Sequence, residues 1–104
     1  MNVQLKVAGF TGEFKVDTGF DGTLLVDSRL FDGIPGGVQG SAVFRTAAGP
    51  VNGFAKLAVV EFGSKKLEVV AYHVLGFDVN LVGEPLIRRL GVLLDYKEGR
   101  VVDP

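Results

Sequence analysis

Three consecutive residues, Asp17-Thr18-Gly19, are the first in this chain whose types and order could do chemistry. They lie in the stretch FKVDTGFDGTLLV, residues 14–26, where an apolar strand ends on a carboxylate and the chain then breaks on Thr-Gly. A carboxylate delivered to a fixed place is a candidate general acid or base. Aspartate and glycine are equally ordinary turn residues. Of the seven aspartates, Asp17 alone is followed by Thr-Gly, so its surroundings must separate the two uses.

Other chemistry is thinly supplied. The chain has no cysteine, which excludes disulfides, a thiolate nucleophile and cysteine-ligated zinc. His73 is the single histidine, and in EVVAYHVLGF it alternates with Val69 and Ala71 on one strand face. That spacing predicts a strand histidine with a local hydrogen bond, and no second histidine exists to build a metal site. Ser28, Ser41 and Ser64 lack the surroundings of a nucleophile elbow. GIPGGVQG is glycine-rich but lacks the Gly-Lys-Ser/Thr ending of a phosphate loop, and is expected to be a flexible turn.

The elements that must position Asp17 are strands. Fifteen glycines and four prolines cut the chain into short runs dominated by valine and phenylalanine. Strands are predicted near residues 3–8, 13–16, 23–26, 40–46, 53–62, 66–75, 79–82, 92–96 and 100–102. EFGSKKL forms a hairpin through Gly63-Ser64, and LDYKEGRVV another with Gly99 at the positive-φ position. FRTAAGPVNGFA is a small-residue loop between two long strands, an exposed hairpin tip. GEPLIRRLG predicts one short helix. Pro85 suits its first turn and Gly91 its C-terminal cap, Leu86 and Leu90 share a face, and Glu84, Arg88 and Arg89 suit its dipole.

Bulk numbers narrow the class. At 104 residues the chain is expected to be one domain, 1–104, with a modest core. Net charge is −1 with both signs interspersed, which argues against a nucleic-acid binder. MNVQLKVAGF is no signal peptide, and no apolar run approaches the roughly 18 residues of a membrane span. A cytoplasmic protein with no membrane partner is expected. Residues of hydrophobic type make up 47%, high for so small a chain, so some apolar surface is expected to face a partner copy.

VDTGFDGTLLV resembles the active-site loop of the retropepsin-like (clan AA) aspartic proteases, and the resemblance has a second half. In that family an apolar-apolar-Gly strand later in the chain runs straight into a short helix. Here NLVGEPLIRRLG supplies it, with Leu81-Val82-Gly83 opening the helix already predicted. FRTAAGPVNGFAKL lies where the family places its flap hairpin. The resemblance spans essentially the whole chain. It implies an all-β fold, a closed antiparallel β-barrel of the retropepsin type with one short C-terminal helix.

It implies a function too. Aspartic proteases hydrolyse amides with two carboxylates sharing one proton, and this chain has one Asp-Thr-Gly. A working pair therefore requires a homodimer with one Asp17 from each subunit, acting as an endopeptidase on peptide or unfolded protein, without metal or cofactor. By the same resemblance Thr18 braces the two loops across the dimer axis and the Gly19 backbone sits beside the carboxylates. Asp21 holds the peptide backbone, and Phe20, Gly22 and Val82 line the cleft. Thr46, Ala47, Ala48, Gly49, Pro50 and Val51 form the flap tip. The chain departs from retroviral relatives at three places. Glu84 stands where they usually carry a basic residue that pairs with the Asp21 position, unless Arg88, Arg89 or a partner-copy arginine intervenes. Phe20 replaces a small residue, and the C-terminal hairpin replaces a single strand.

Two further readings belong to other classes. One is a non-catalytic dimeric module on the same fold, binding extended peptides by β-addition. The other is a monomeric structural β-domain in which Asp-Thr-Gly is coincidental. Retention of all three motif residues favours the enzyme, because a binding module has no use for a buried carboxylate pair.

Overall fold

A computed structural model describes residues 1–45 and 47–104, with Thr46 entering only as the last residue of a strand. The chain runs β1 (Asn2–Val7), β2 (Phe10–Val16), β3 (Leu24–Leu25), α1 (Ser28–Gly33), β4 (Gly40–Thr46) and β5 (Gly49–Phe62). It continues through β6 (Lys65–Val74), β7 (Leu81–Val82), α2 (Glu84–Leu90), β8 (Leu93–Asp95) and β9 (Arg100–Val102). Alternation makes the first strand: Val3, Leu5 and Val7 point into the core while Asn2, Gln4 and Lys6 face water. β1 and β2 form a hairpin through Ala8-Gly9, both at positive φ, the geometry that matches the twist of paired strands.

Seven strands make one sheet in the order β1-β2-β7-β3-β6-β5-β4, while β8 and β9 pair separately. The sheet curls until β1 also meets β5, over two residue pairs, Lys6↔Glu61 and Val7↔Val60. The sheet is mixed, in contrast to the all-antiparallel one expected. β2 runs parallel to β7, and β3 parallel to β6. Those pairings join segments far apart in the chain, and turn signals report only neighbours.

The helix over 84–90 forms as expected. Pro85 sits in its first turn and Gly91 closes it in the left-handed region at φ 65°. Leu86, Ile87 and Leu90 go into the core, each contributing about 1.5–3 kcal/mol relative to exposure. They pack with Leu5, Phe14, Leu24, Val60 and Val69, all nearly or fully buried. No helix is long and apolar enough to cross a membrane among the described residues.

The expectation of a single helix is corrected by α1, which is six residues long and too short for a 3.6-residue period to show. Asp27 caps its start, accepting from the Leu30 amide at 2.8 Å. Its other end is held from β5. Lys56, only 8% exposed, donates through Nζ to the Phe31 carbonyl at 2.9 Å and the Ile34 carbonyl at 3.1 Å. The same ammonium lies 4.6 Å from the Phe31 ring centroid. A buried cation is thereby satisfied by the negative end of a helix. Replacing it by Met should remove a donor from both carbonyls, leaving that of Phe31 with the Ile34 amide alone. We expect Lys56→Met to destabilise the fold by about 1–3 kcal/mol, read from denaturant unfolding. An unchanged midpoint and slope would show that α1 does not depend on this lysine.

Candidate active site

Asp17 is the first residue past β2, and its position is fixed by backbone. Phe14 anchors the strand in the core, and β2 is flanked by β1 on one side and β7 on the other. The last rung of the β2–β7 ladder is the Asp17 amide donating to the Val82 carbonyl at 3.0 Å. The chain then reverses: Phe20 N–H donates to the Asp17 carbonyl at 3.1 Å, and Gly19 N–H to Asp17 Oδ1 at 3.0 Å. One carboxylate oxygen is thus tied into its own loop, the usual Asx-turn behaviour. The residue also lines a cleft and is half-buried.

The second half of the motif locks that loop from below. Leu24 and Leu25 of β3 pair antiparallel with Val82 and Leu81, and Gly83 N–H donates to the Thr23 carbonyl at 3.0 Å. The Thr23 hydroxyl donates to the Val70 carbonyl on β6. Gly83 packs so closely that a Cβ there would run into the Gly22 carbonyl oxygen and lie 2.7 Å from the Phe20 carbonyl oxygen. Only glycine fits. From Gly83 the chain enters α2 directly, its carbonyl accepting from the Leu86 and Ile87 amides. Core burial of α2 therefore seats the Asp17 loop.

A cleft of about 320 Å³ opens above it. Asp17, Gly19, Phe20 and Asp21 line one side, and Phe44, Arg45 and Val51 of the β4–β5 hairpin line another. Leu25, Val74, Phe77 and Leu81 complete it. The wall is mostly apolar, with two carboxylates and one guanidinium among its polar groups. The hairpin overhangs the rest of the sheet. β5 pairs with β6 only as far as Gly53↔Val74, while its pairing with β4 continues to Thr46↔Gly49. The outer part is thus a two-stranded ribbon, a form with little stability of its own.

Thr18 faces a neighbouring hollow shared with Phe20, Asp21, Glu84, Pro85, Arg88 and Arg89. Glu84 and Asp21 both border it. Within α2, Arg88 Nη2 reaches Glu84 Oε1 at 2.6 Å. Arg89 donates to the Glu68 carbonyl at 3.2 Å.

The remaining sequence candidates fall at varied distances from the cleft. Gly22 lies beneath the Phe20 ring, where a Cβ would come 2.6 Å from Phe20 Cζ. Ala47 and Ala48 form the exposed hairpin turn, and Gly49, at φ 107°, follows them. Gly49 and Pro50 border a separate hollow with Val43 and Arg45. Thr46 lies outside the described residues. Val82 is fully buried, so its side chain belongs to the core and its carbonyl to the Asp17 loop. His73 is buried with Nδ1 2.9 Å from the Val26 carbonyl; that oxygen can only accept, so Nδ1 carries the proton. Among the described residues no group of three or more His, Asp or Glu side chains could hold a metal ion.

Sequence reasoning missed Phe44, Arg45, Leu25, Val74, Phe77 and Leu81. A signal existed for Phe44. The hairpin turns at Ala47-Ala48, and a turn read there would have set Phe44 opposite Val51, as the register does.

No protein-family model matches this chain, and no curated protein matches it. Among solved structures, EIAV protease complexed with the inhibitor HBY-793 superposes with a TM-score of 0.79. The superposition covers 91% of each chain at 14% sequence identity. The fold is therefore retropepsin-like. The likeness is one of fold, and the part played by each residue has to come from this chain's own geometry.

The tight seat of Gly83 is testable. Gly83→Ala should destabilise the protein by at least about 2 kcal/mol in denaturant unfolding and speed hydrogen exchange at the Asp17 amide. Wild-type stability with unchanged exchange would mean the contact gives way without consequence.

Proposed function

We propose that this chain is an aspartic endopeptidase that works as a homodimer, residues 1–104 forming one protease domain and one half of the enzyme. The observation that carries the reading is Asp17 itself. Backbone bonds from β2 and β7 fix it, its carboxylate borders a mostly apolar cleft, and a hairpin overhangs that cleft in a fold shared with EIAV protease.

The chemistry requires two such carboxylates. In the dimer the two Asp17 side chains share one proton, since like charges about 3 Å apart cannot both ionise. The ionised one takes a proton from water as its oxygen attacks the peptide carbonyl carbon. The protonated one gives its proton to the carbonyl oxygen. The tetrahedral intermediate then collapses with a proton delivered to the leaving nitrogen, and the pair regains its single shared proton. Thr18 braces the two loops, while Gly19 and Asp21 hold the main chain of an extended peptide. The β4–β5 hairpin acts as the flap, with Ala47, Ala48, Gly49 and Pro50 near its tip and Val51 over the substrate. Surface apolar groups such as Leu93 at 60% and Tyr96 at 74% exposure fit a chain that buries area against a second copy.

Asp17→Asn should keep the fold and the dimer, read by circular dichroism and sedimentation, and reduce cleavage of a peptide library by about a thousandfold or more. Cleavage by the variant at the wild-type rate would end the reading. Silence from both proteins, with peptides still bound, would favour the non-catalytic peptide-binding module. Because the pair must keep its proton, wild-type cleavage should be greatest at acidic to near-neutral pH and fall as pH rises. A rate climbing steadily into alkaline solution would contradict the shared proton.

A further inference from the structure

Two aromatic rings stand over two glycines at the edge of the cleft. The Phe20 ring lies on Gly22, and the Phe44 ring lies on Gly53, where a Cβ would come 2.7 Å from Phe44 Cε2. The rings meet with centroids 5.6 Å apart and planes tilted by 43°. Phe44 is backed in turn by Tyr72, edge-on at 5.0 Å. Gly83 closes the other side of Phe20, where a Cβ would be 3.0 Å from Cδ2. Neither ring has room to retreat toward the glycine it covers, because backbone lies there. The two form a wall between the Asp17 loop and the hairpin, with Phe20 seated on the Gly22 backbone.

On the reading of the site as a peptide-cleaving one, we propose that Phe20, backed by Phe44, is the specificity-determining residue of the cleft. The wall occupies the space beside Asp17 that a substrate side chain would otherwise fill. Substrates are therefore extended peptides with a small residue, Gly, Ala or Ser, at one fixed position near the cleaved bond. Larger apolar side chains are left to the part of the cleft lined by Leu25, Phe77 and Leu81. A larger side chain at the filtered position would have to displace a ring packed on backbone, which is overpacking.

The test compares wild type, Phe20→Ala and Phe20→Leu on a randomised peptide library, with cleavage read by mass spectrometry and folding by thermal melts. Phe20→Leu keeps apolar volume without the ring and guards against a loop that collapses in the alanine variant. Wild type should prefer small residues at one position. Both variants should raise kcat/KM for Leu, Met or Phe at that position, relative to Ala, on the order of 10–100-fold. An unchanged size preference in both folded variants would overturn the filter while leaving the protease reading standing. The same substitutions in an Asp17→Asn background, scored by which library peptides bind, separate the two ideas. A shift toward larger bound residues without any wild-type cleavage would support the filter and remove the protease reading. Identical bound sets for all three would overturn the filter by a route independent of cleavage.

Discussion

The close approach of Gly83 to the carbonyls of Phe20 and Gly22 is the contact on which the site depends. Two backbone segments meet there with no room for a side chain, one leaving β7 and the other turning after Asp17. Hydrogen bonds on either side, Asp17 to Val82 and Gly83 to Thr23, make the meeting a continuation of the sheet rather than a loop resting on it. α2 begins at that point and drives Leu86, Ile87 and Leu90 into the core. Core burial and carboxylate placement are therefore one mechanical system. A carboxylate held this way needs little rearrangement to meet a ligand, the property that preorganised sites exploit.

What could be read from the sequence was what is local. Leu86 and Leu90 on one face, Pro85 at the start and Gly91 at the end specify α2 within nine residues, and the structure places it there. Alternation specified β1, and Gly63 and Gly99 marked two turns whose positive φ values require such residues. Asp17 stood out because its context, strand before and glycine after, is also local. The parallel pairings were not legible, since β2 meets β7 and β3 meets β6 across intervening chain that carries no mark of its destination. α1 was hidden for a related reason. Six residues make no period, and the group that completes its C-terminal end is Lys56, a strand residue more than twenty positions away. Val82 stands within the motif, and β-pleat alternation turns its side chain into the core, a direction that the motif alone does not show.

Charge around the Asp21 hollow has been rearranged within the helix. With Glu84 at the first position of α2, a second carboxylate borders the hollow that Asp21 lines, and Arg88 one turn later reaches back to Glu84 at 2.6 Å. The pair is largely exposed, so it contributes only a few tenths of a kcal/mol to stability. Glu84 is the carboxylate Arg88 satisfies, and Asp21 keeps its place in both the hollow and the cleft. An arginine at i+4 can do this without altering the backbone that holds Gly83, which explains how Glu84 is accommodated beside so constrained a loop.

The two walls of the cleft differ in what holds them. The floor, from Asp17 to Asp21, is bonded to β7 through the Asp17 amide, turns on the Phe20 amide to the Asp17 carbonyl, and is packed from below by Gly83 at the start of α2. The roof is the outer β4–β5 ribbon, which leaves β6 behind at Gly53 and continues on cross-strand pairs alone. Phe44 lies on that ribbon at the height where support from β6 ends, and it is the residue that touches both Tyr72 and Phe20. A ring contact of this kind contributes about 0.5–1.5 kcal/mol beyond its burial, comparable to the small energies that govern local opening. The junction between floor and roof therefore rests on ring contacts, with each ring seated on the backbone of a glycine. In this chain that junction is a phenylalanine where a smaller residue would have left the two walls apart.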